Sequence, residues 1–149
     1  MPVMAISRFE RFFRLAAGLD VDKNDLKRYD DFVNNKIYDL LLVATATASA
    51  NDRDVIQPRD LPITKGLQES IHQFRKLDAD IDLKPILEQL TARPPLDATY
   101  SVETEAMLPE LAGGISLALA RTIKIVDPDV KNPQSRHWNQ AIQVFDLLL

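Results

Sequence analysis

The sequence predicts an all-α protein built from two units, each a short helix, a long helix and a short helix. Three observations carry that expectation. Apolar residues recur every three or four positions through six separate segments, the period of a helix with one face in a core. Breakers at Gly18, 51–58, Pro94-Pro95 and Asp127-Pro128 space those segments so that the same order of lengths occurs twice. Only four glycines occur in 149 residues, too few for a turn-rich β sandwich or for phosphate-cradling loops.

Each element has its own local signal. Ile6, Phe9, Phe13 and Ala16 or Ala17 stripe a first helix. Ser7 is placed to cap it, with Glu10 at capping-box spacing, and Gly18 to end it. The polar segment 20–24 reads as a loop. Asn24 or Asp25 then caps a helix of about 25 residues, striped by Leu26, Tyr29, Val33, Ile37, Leu40, Leu41, Ala44 and Ala48. Its far half is thin enough for another helix to cross closely. Val55-Ile56 suits a few extended residues. Pro62 sits where a helix can begin but not continue, and Ile63, Leu67, Ile71 and Phe74 stripe a third helix ending near Leu77.

The order then repeats. Asp82 caps a short helix carrying Leu83, Ile86, Leu87 and Leu90, stopped by Arg93-Pro94-Pro95. Ser101 caps a second long helix from about Val102 to Val126. Pro109 should kink it, and Gly113-Gly114 lets a neighbour approach. A last helix runs from about Ser135 with Trp138, Ile142 and Phe145 on one face. The expected organisation is a single domain over 1–149, with a first half at 6–77 and a second at 82–149.

One long helix with two short flankers cannot bury its apolar faces alone, whereas two such units can, by crossing their long helices. Here the stretch Arg53-Asp54-Val55-Ile56-Gln57-Pro58-Arg59-Asp60-Leu61 resembles the segment that follows the long helix of a histone fold. Histone folds place an Arg in that loop, then a short β-branched stretch, then an Asp seven residues beyond the Arg. Arg53 and Asp60 have this spacing, and the resemblance implies that they pair. The whole organisation is similar to the bacterial and archaeal single-chain histone-like family of unknown function, in which two histone folds clasp in a handshake pseudodimer. The second half departs from the pattern: seven residues beyond Arg136 stands Gln143, which leaves that loop without an equivalent Arg–Asp pair. A generic bundle of five or six helices is the alternative architecture.

Composition bounds the function. Lys and Arg number 18 against 22 Asp and Glu, giving a net charge of −4 and a pI near 5.1, which counts against a nucleic-acid coat protein. With no cysteine there is no disulfide, thiolate zinc site or cysteine nucleophile. The N-terminus lacks a signal-peptide order, and the longest uncharged run, Leu40 to Asn51, is too short and polar to span a bilayer. The expected location is therefore cytoplasmic (the nucleoid if the protein binds DNA), with no membrane partner.

No residues stand at the spacing that catalysis or metal binding needs. His72 and His137 are far apart and read as structural histidines. The clusters Asp20/Asp22/Asp25 and Asp78/Asp80/Asp82 lack the glycine and closing Glu of a calcium loop and read as caps and solvated loops. No cofactor, metal or catalytic residue is expected, and the chain is not read as an enzyme. A site assembled only in space is the remote alternative.

The basic residues Arg8, Arg11 and Arg14 share a helix face, followed by Lys27 and Arg28. They form either a phosphate-facing ridge or, the favoured reading, a solvated face. In a pseudodimer one end would gather Asp20, Asp22, Asp25, Asp127 and Asp129 with Lys23, Lys131 and Arg136. The other would gather Asp52, Asp54, Asp60 and Asp97 with Arg53, Arg59 and Arg93. Both ends are net acidic, so DNA is disfavoured as a partner. The apolar terminus Leu147-Leu148-Leu149 either closes the core or forms a subunit interface. The expected function is a histone-like interaction or assembly module with itself or another protein as partner, and a nucleoid-associated DNA-binding protein is the alternative.

Overall fold

The computed structural model describes residues 3–91 and 99–149. Six α-helices lie among them: α1 (Val3–Ala17), α2 (Leu26–Ala50), α3 (Lys65–Ile81), α4 (Lys84–Thr91), α5 (Val102–Val126) and α6 (Ser135–Leu148), with a 3-10 turn at Pro58–Asp60. No strand occurs among the described residues; one isolated parallel bridge joins Ile56 to Tyr100. None of the helices is long and apolar enough to cross a membrane.

The long helices are laid down as their stripes dictate. All eight striped residues of α2 are buried. α5 is the more apolar rod, and Leu108, Leu111, Ala112, Ile115, Leu117, Leu119, Ala120 and Ile123 are shut from solvent on it. α1, α2, α3, α4 and α6 all pack against α5. The two long helices meet through a buried hydrogen bond between Tyr29 Oη and Ser116 Oγ, 2.6 Å apart. Ser116 Oγ in turn lies 2.7 Å from the Ala112 carbonyl. α5 is unbroken across Pro109.

α3 crosses α5 at Gly113-Gly114. A Cβ added at Gly114 would stand 2.5 Å from Ile71 Cγ1 and 3.0 Å from the Ile71 backbone nitrogen, and one at Gly113 would enter the Phe74 ring. Aromatic contacts stitch the first two helices to the last. Phe13 lies 5.9 Å from Trp138 and Phe32 lies 5.0 Å from Phe145, between ring centres. Trp138 is fully buried, as expected of a core anchor.

Several boundaries depart from the sequence expectation. α1 begins at Val3, upstream of Ser7, because the apolar run before Ser7 holds no breaker; the Ser7–Glu10 capping box is therefore not formed. Its end is as expected: Gly18 has φ +65°, and its N–H donates to the Arg14 carbonyl at 2.9 Å. The cap before α2 comes from Asp22, whose Oδ1 accepts the N–H groups of Asn24 (2.8 Å) and Asp25 (3.3 Å). α3 starts after Pro62, as that proline leads one to expect, with Thr64 as its cap, but it runs to Ile81 rather than Leu77 because nothing between those residues stops it. Asp82 ends α3 in the left-handed region, φ 58°, instead of capping α4. Asp78 caps α4, accepting the N–H groups of Leu83 (2.6 Å) and Lys84 (3.2 Å). The expected stop at Arg93-Pro94-Pro95 lies outside the described residues.

Loops meet at both ends of the two long helices. At one end the Asp20 N–H donates to the Lys131 carbonyl at 2.7 Å. At the other, Ile56 N–H donates to the Thr99 carbonyl and Ser101 N–H to the Ile56 carbonyl, both at 2.9 Å. Thr104 Oγ1 also donates to the Ile56 carbonyl at 2.9 Å. Each end thus joins a loop next to α2 with a loop next to α5.

Candidate functional site

The loop after α2 is held by a two-pronged ion pair. Arg53 Nη1 donates to Asp60 Oδ2 at 2.7 Å and Nη2 to Oδ1 at 2.6 Å. Asp60 Oδ2 also accepts the Gln57 N–H at 2.8 Å, so one carboxylate caps the 3-10 turn and ties it to the loop. The Asp60 side chain is 1% exposed. The Arg53 hydrogen bonds, helped by Gln57 N–H and opposed by desolvation, hold its pKa at about 2.

The loop after α5 carries a counterpart with the polarity reversed. His137 Nε2 stands 2.9 Å from Asp127 Oδ2, while His137 Nδ1 accepts the Gln134 N–H at 2.9 Å. Arg136 Nη2 lies 3.5 Å from the same Asp127 oxygen. The hydrogen bond from His137, aided by the Asp129 N–H, keeps the Asp127 carboxyl below its ordinary range. Gln57-Pro58-Arg59-Asp60 and Gln134-Ser135-Arg136-His137 therefore do the same job. In each, the fourth residue accepts the Gln N–H and reaches back to a charged partner that follows a long helix.

The second tie was not legible in the sequence, because it joins an Asp to a His ten residues on rather than an Arg to an Asp seven residues on. The Gln-x-Arg repeat was the available signal.

The basic residues are placed as follows. Arg8 Nη1 donates to the Asp82 carbonyl at 3.2 Å. Arg14 lies 3.5 Å from Asp20, and Lys27 lies 3.5 Å from Asp31. Arg28 Nη2 donates to Ser135 Oγ at 2.6 Å, and Arg11 is exposed. Four of the five thus have partners within the chain.

The first acidic end is assembled around a depression of about 370 Å³ lined by Asp20, Asp22, Asp25, Arg28, Gln134 and Ser135. Burial raises the Asp25 carboxyl, and the Asp22 N–H, which Asp25 Oδ2 accepts at 3.1 Å, offsets part of that rise; Trp138 Nε1 is buried with no partner at hydrogen-bond distance. At the second end Asp52, Asp54 and Arg59 are exposed around the Arg53–Asp60 pair; Arg93 and Asp97 lie outside the described residues.

The terminal leucines divide. Leu147 and Leu148 are 86% and 75% exposed. Leu149 is part-buried and lines an apolar groove of about 420 Å³ with Leu67, Ala118, Thr122, Phe145 and Leu148. Ile125, at the end of α5, is 78% exposed. A depression of about 600 Å³ between α3 and α5 carries His72 and the Arg75–Glu110 pair over Ile71, Met107 and Leu111. Among the described residues no three His, Cys, Asp or Glu side chains are grouped to hold a metal ion.

These features define an all-α protein with paired loop ties. The chain belongs to the family described as a domain of unknown function, DUF1931, whose model matches residues 9–146. It is 27% identical over 117 residues to an uncharacterised protein of Aquifex aeolicus (strain VF5), covering 78% of this chain and 68% of that one. A second uncharacterised protein of the same organism is 28% identical over 141 residues, covering 86% and 82%. Among solved structures, the chain is similar to a crystal structure of a Thermus thermophilus protein, with 54% identity, TM-score 0.84 and 97% of each chain covered. It shares its fold with a 1.9 Å crystal structure of an Aquifex aeolicus protein at 24% identity, TM-score 0.84, with 97% of this chain and 95% of that one covered.

Proposed function

We propose that the chain is a single-chain histone-fold pseudodimer serving as an interaction and assembly module rather than as an enzyme, with its own copies as first partner. The observation that carries the reading is the duplicated tie. Short, long and short helices occur twice, and each loop after a long helix is fastened to the next element through a Gln–Asp or Gln–His cap. Cross-joined loops at both ends support a clasp of two halves. Leu147 and Leu148, beside an apolar groove at the end of α6, supply the self-association surface.

Light scattering over a micromolar concentration series tests this. A concentration-dependent rise above 16.8 kDa that is abolished by Leu147→Glu with Leu148→Glu is the expected result. A strict monomer at every concentration overturns it. DNA enters the reading only as an outcome: Arg8, Arg14, Lys27 and Arg28, four of the five cations of that ridge, have partners within the chain that compete with phosphate. A gel shift that weakens steeply with salt and is lost on Arg11→Glu with Arg28→Glu would transfer the function to nucleic acid.

A further inference from the structure

α6 is shorter than the helix it lies on. It runs beside the first half of α2, where Arg28 meets Ser135, the Phe32 ring meets Phe145, and Lys36 Nζ donates to Asp146 Oδ1 at 2.6 Å. Beyond Lys36 the same row of α2 continues at helical spacing through Val43, Ala46 and Ala50, and all three are exposed. α6 ends at Leu148 and leaves them uncovered. The Lys36–Asp146 pair places Leu147 and Leu148, the residues that follow, at the head of this bare row.

The stretch is suited to losing its water. No charged residue occurs from Leu40 to Asn51. Tyr38 and Leu42 widen it on the adjacent row, and both are exposed. The Thr45 and Thr47 hydroxyls donate to the Leu41 and Val43 carbonyls at 2.8 and 3.2 Å, so neither needs a solvent partner. Of the nine large apolar side chains exposed among the described residues, five stand here or on the end of α6: Tyr38, Leu42, Val43, Leu147 and Leu148.

Shape and charge say what covers it. Along one line the surface carries two protruding leucines and then a strip of small residues. A two-fold axis across that line, with the α2 helices antiparallel, sets each copy's leucines on the other's strip, so the patch is complementary to itself. A face without charge meets its own copy without repulsion, which the acidic loop ends could not do. Small side chains at Ala46, Ser49 and Ala50 let the two helices approach closely.

We infer that the second half of α2 and the end of α6 form one interface, covered by a second copy of the chain, with Leu147-Leu148 of each copy seated on the α2 strip of the other. The inference rests on the self-association proposed above and adds the face and its arrangement. A contact of this size is small, so association belongs in the micromolar range.

The intact chain contains no cysteine, so an introduced thiol has no native partner. Sedimentation over a micromolar series should show a dimer whose strength does not fall as salt is raised. Ala46→Glu keeps a good helix former at an exposed position but brings an unpaired carboxylate into the contact, and should weaken the dimer roughly tenfold or more. Ile125→Glu, on an exposed apolar residue at the far end of α5, should leave it unchanged. Chains with Ala46→Cys mixed with chains with Leu147→Cys should form disulfide-linked unlike pairs under mild oxidation, and Ile125→Cys with Leu147→Cys should form none. A dimer that survives Ala46→Glu, one weakened equally by Ile125→Glu, or failure of the first thiol pair to cross-link overturns this interface while self-association through another face stands. A strict monomer at every concentration overturns both and leaves the face to an unlike partner.

Discussion

Asp60 shows how much one side chain can organise. Its two oxygens serve three N–H donors, two from Arg53 and one from Gln57, and it is almost wholly enclosed. Removing either partner leaves the other charged group short of hydrogen bonds inside the loop. Arg53→Ala and Asp60→Ala should each lower the thermal midpoint, by roughly 5 °C, whereas Arg59→Ala, on an exposed neighbour, should change it little. Scanning calorimetry on the three variants is the check. The pH sign follows from the depressed pKa. Asp60 contributes its stabilisation in full above the ordinary carboxylate range, and that contribution drains away as pH falls toward about 2. Asp60→Asn should therefore flatten the acid side of the stability profile over that window. The Arg53–Asp60 pair was legible because its spacing is a known pattern. The Asp127–His137 tie was not, because the same mechanical task is performed with opposite charge and a different spacing.

At the scale of elements, the long helices were legible almost residue by residue, since every member of the α2 stripe is buried. Short helices were less so. Periodicity says which face is buried, but helix ends depend on which side chain happens to reach a free N–H. Asp78, inside α3, reaches forward to cap α4, and no local rule assigns it that task over Asp82. Gly113-Gly114 was legible as a crossing point, though the sequence did not say that α3 is the helix that crosses there. Gly114→Ala should cost about 1–3 kcal/mol or more, because the new methyl meets the Ile71 backbone as well as its side chain. Gly66→Ala, in open space in the first turn of α3, should be neutral or stabilising by up to about 1 kcal/mol. Urea denaturation of the pair separates crowding at the crossing from a general effect of replacing helical glycine.

For the whole molecule, the governing fact is that neither set of three helices encloses a core of its own. α1 and α3 pack on α5, Phe13 reaches Trp138, Phe32 reaches Phe145, and Tyr29 bonds to Ser116. The composition and stripes made the all-α class and the repeated lengths readable. They left partner and process unreadable, because the surface chemistry is dispersed: the cations are scattered and many are paired within the chain, acidic residues solvate loop ends, and the exposed leucines specify no ligand. Interlocking of this kind implies a single cooperative unit. Native-state hydrogen exchange tests that most directly. Amides of Val33 and Ile37 in α2 and of Leu117 and Ala120 in α5 should all open with one common free energy equal to that of global unfolding, and exchange through α5 that stays slow after α2 has opened would contradict the clasp.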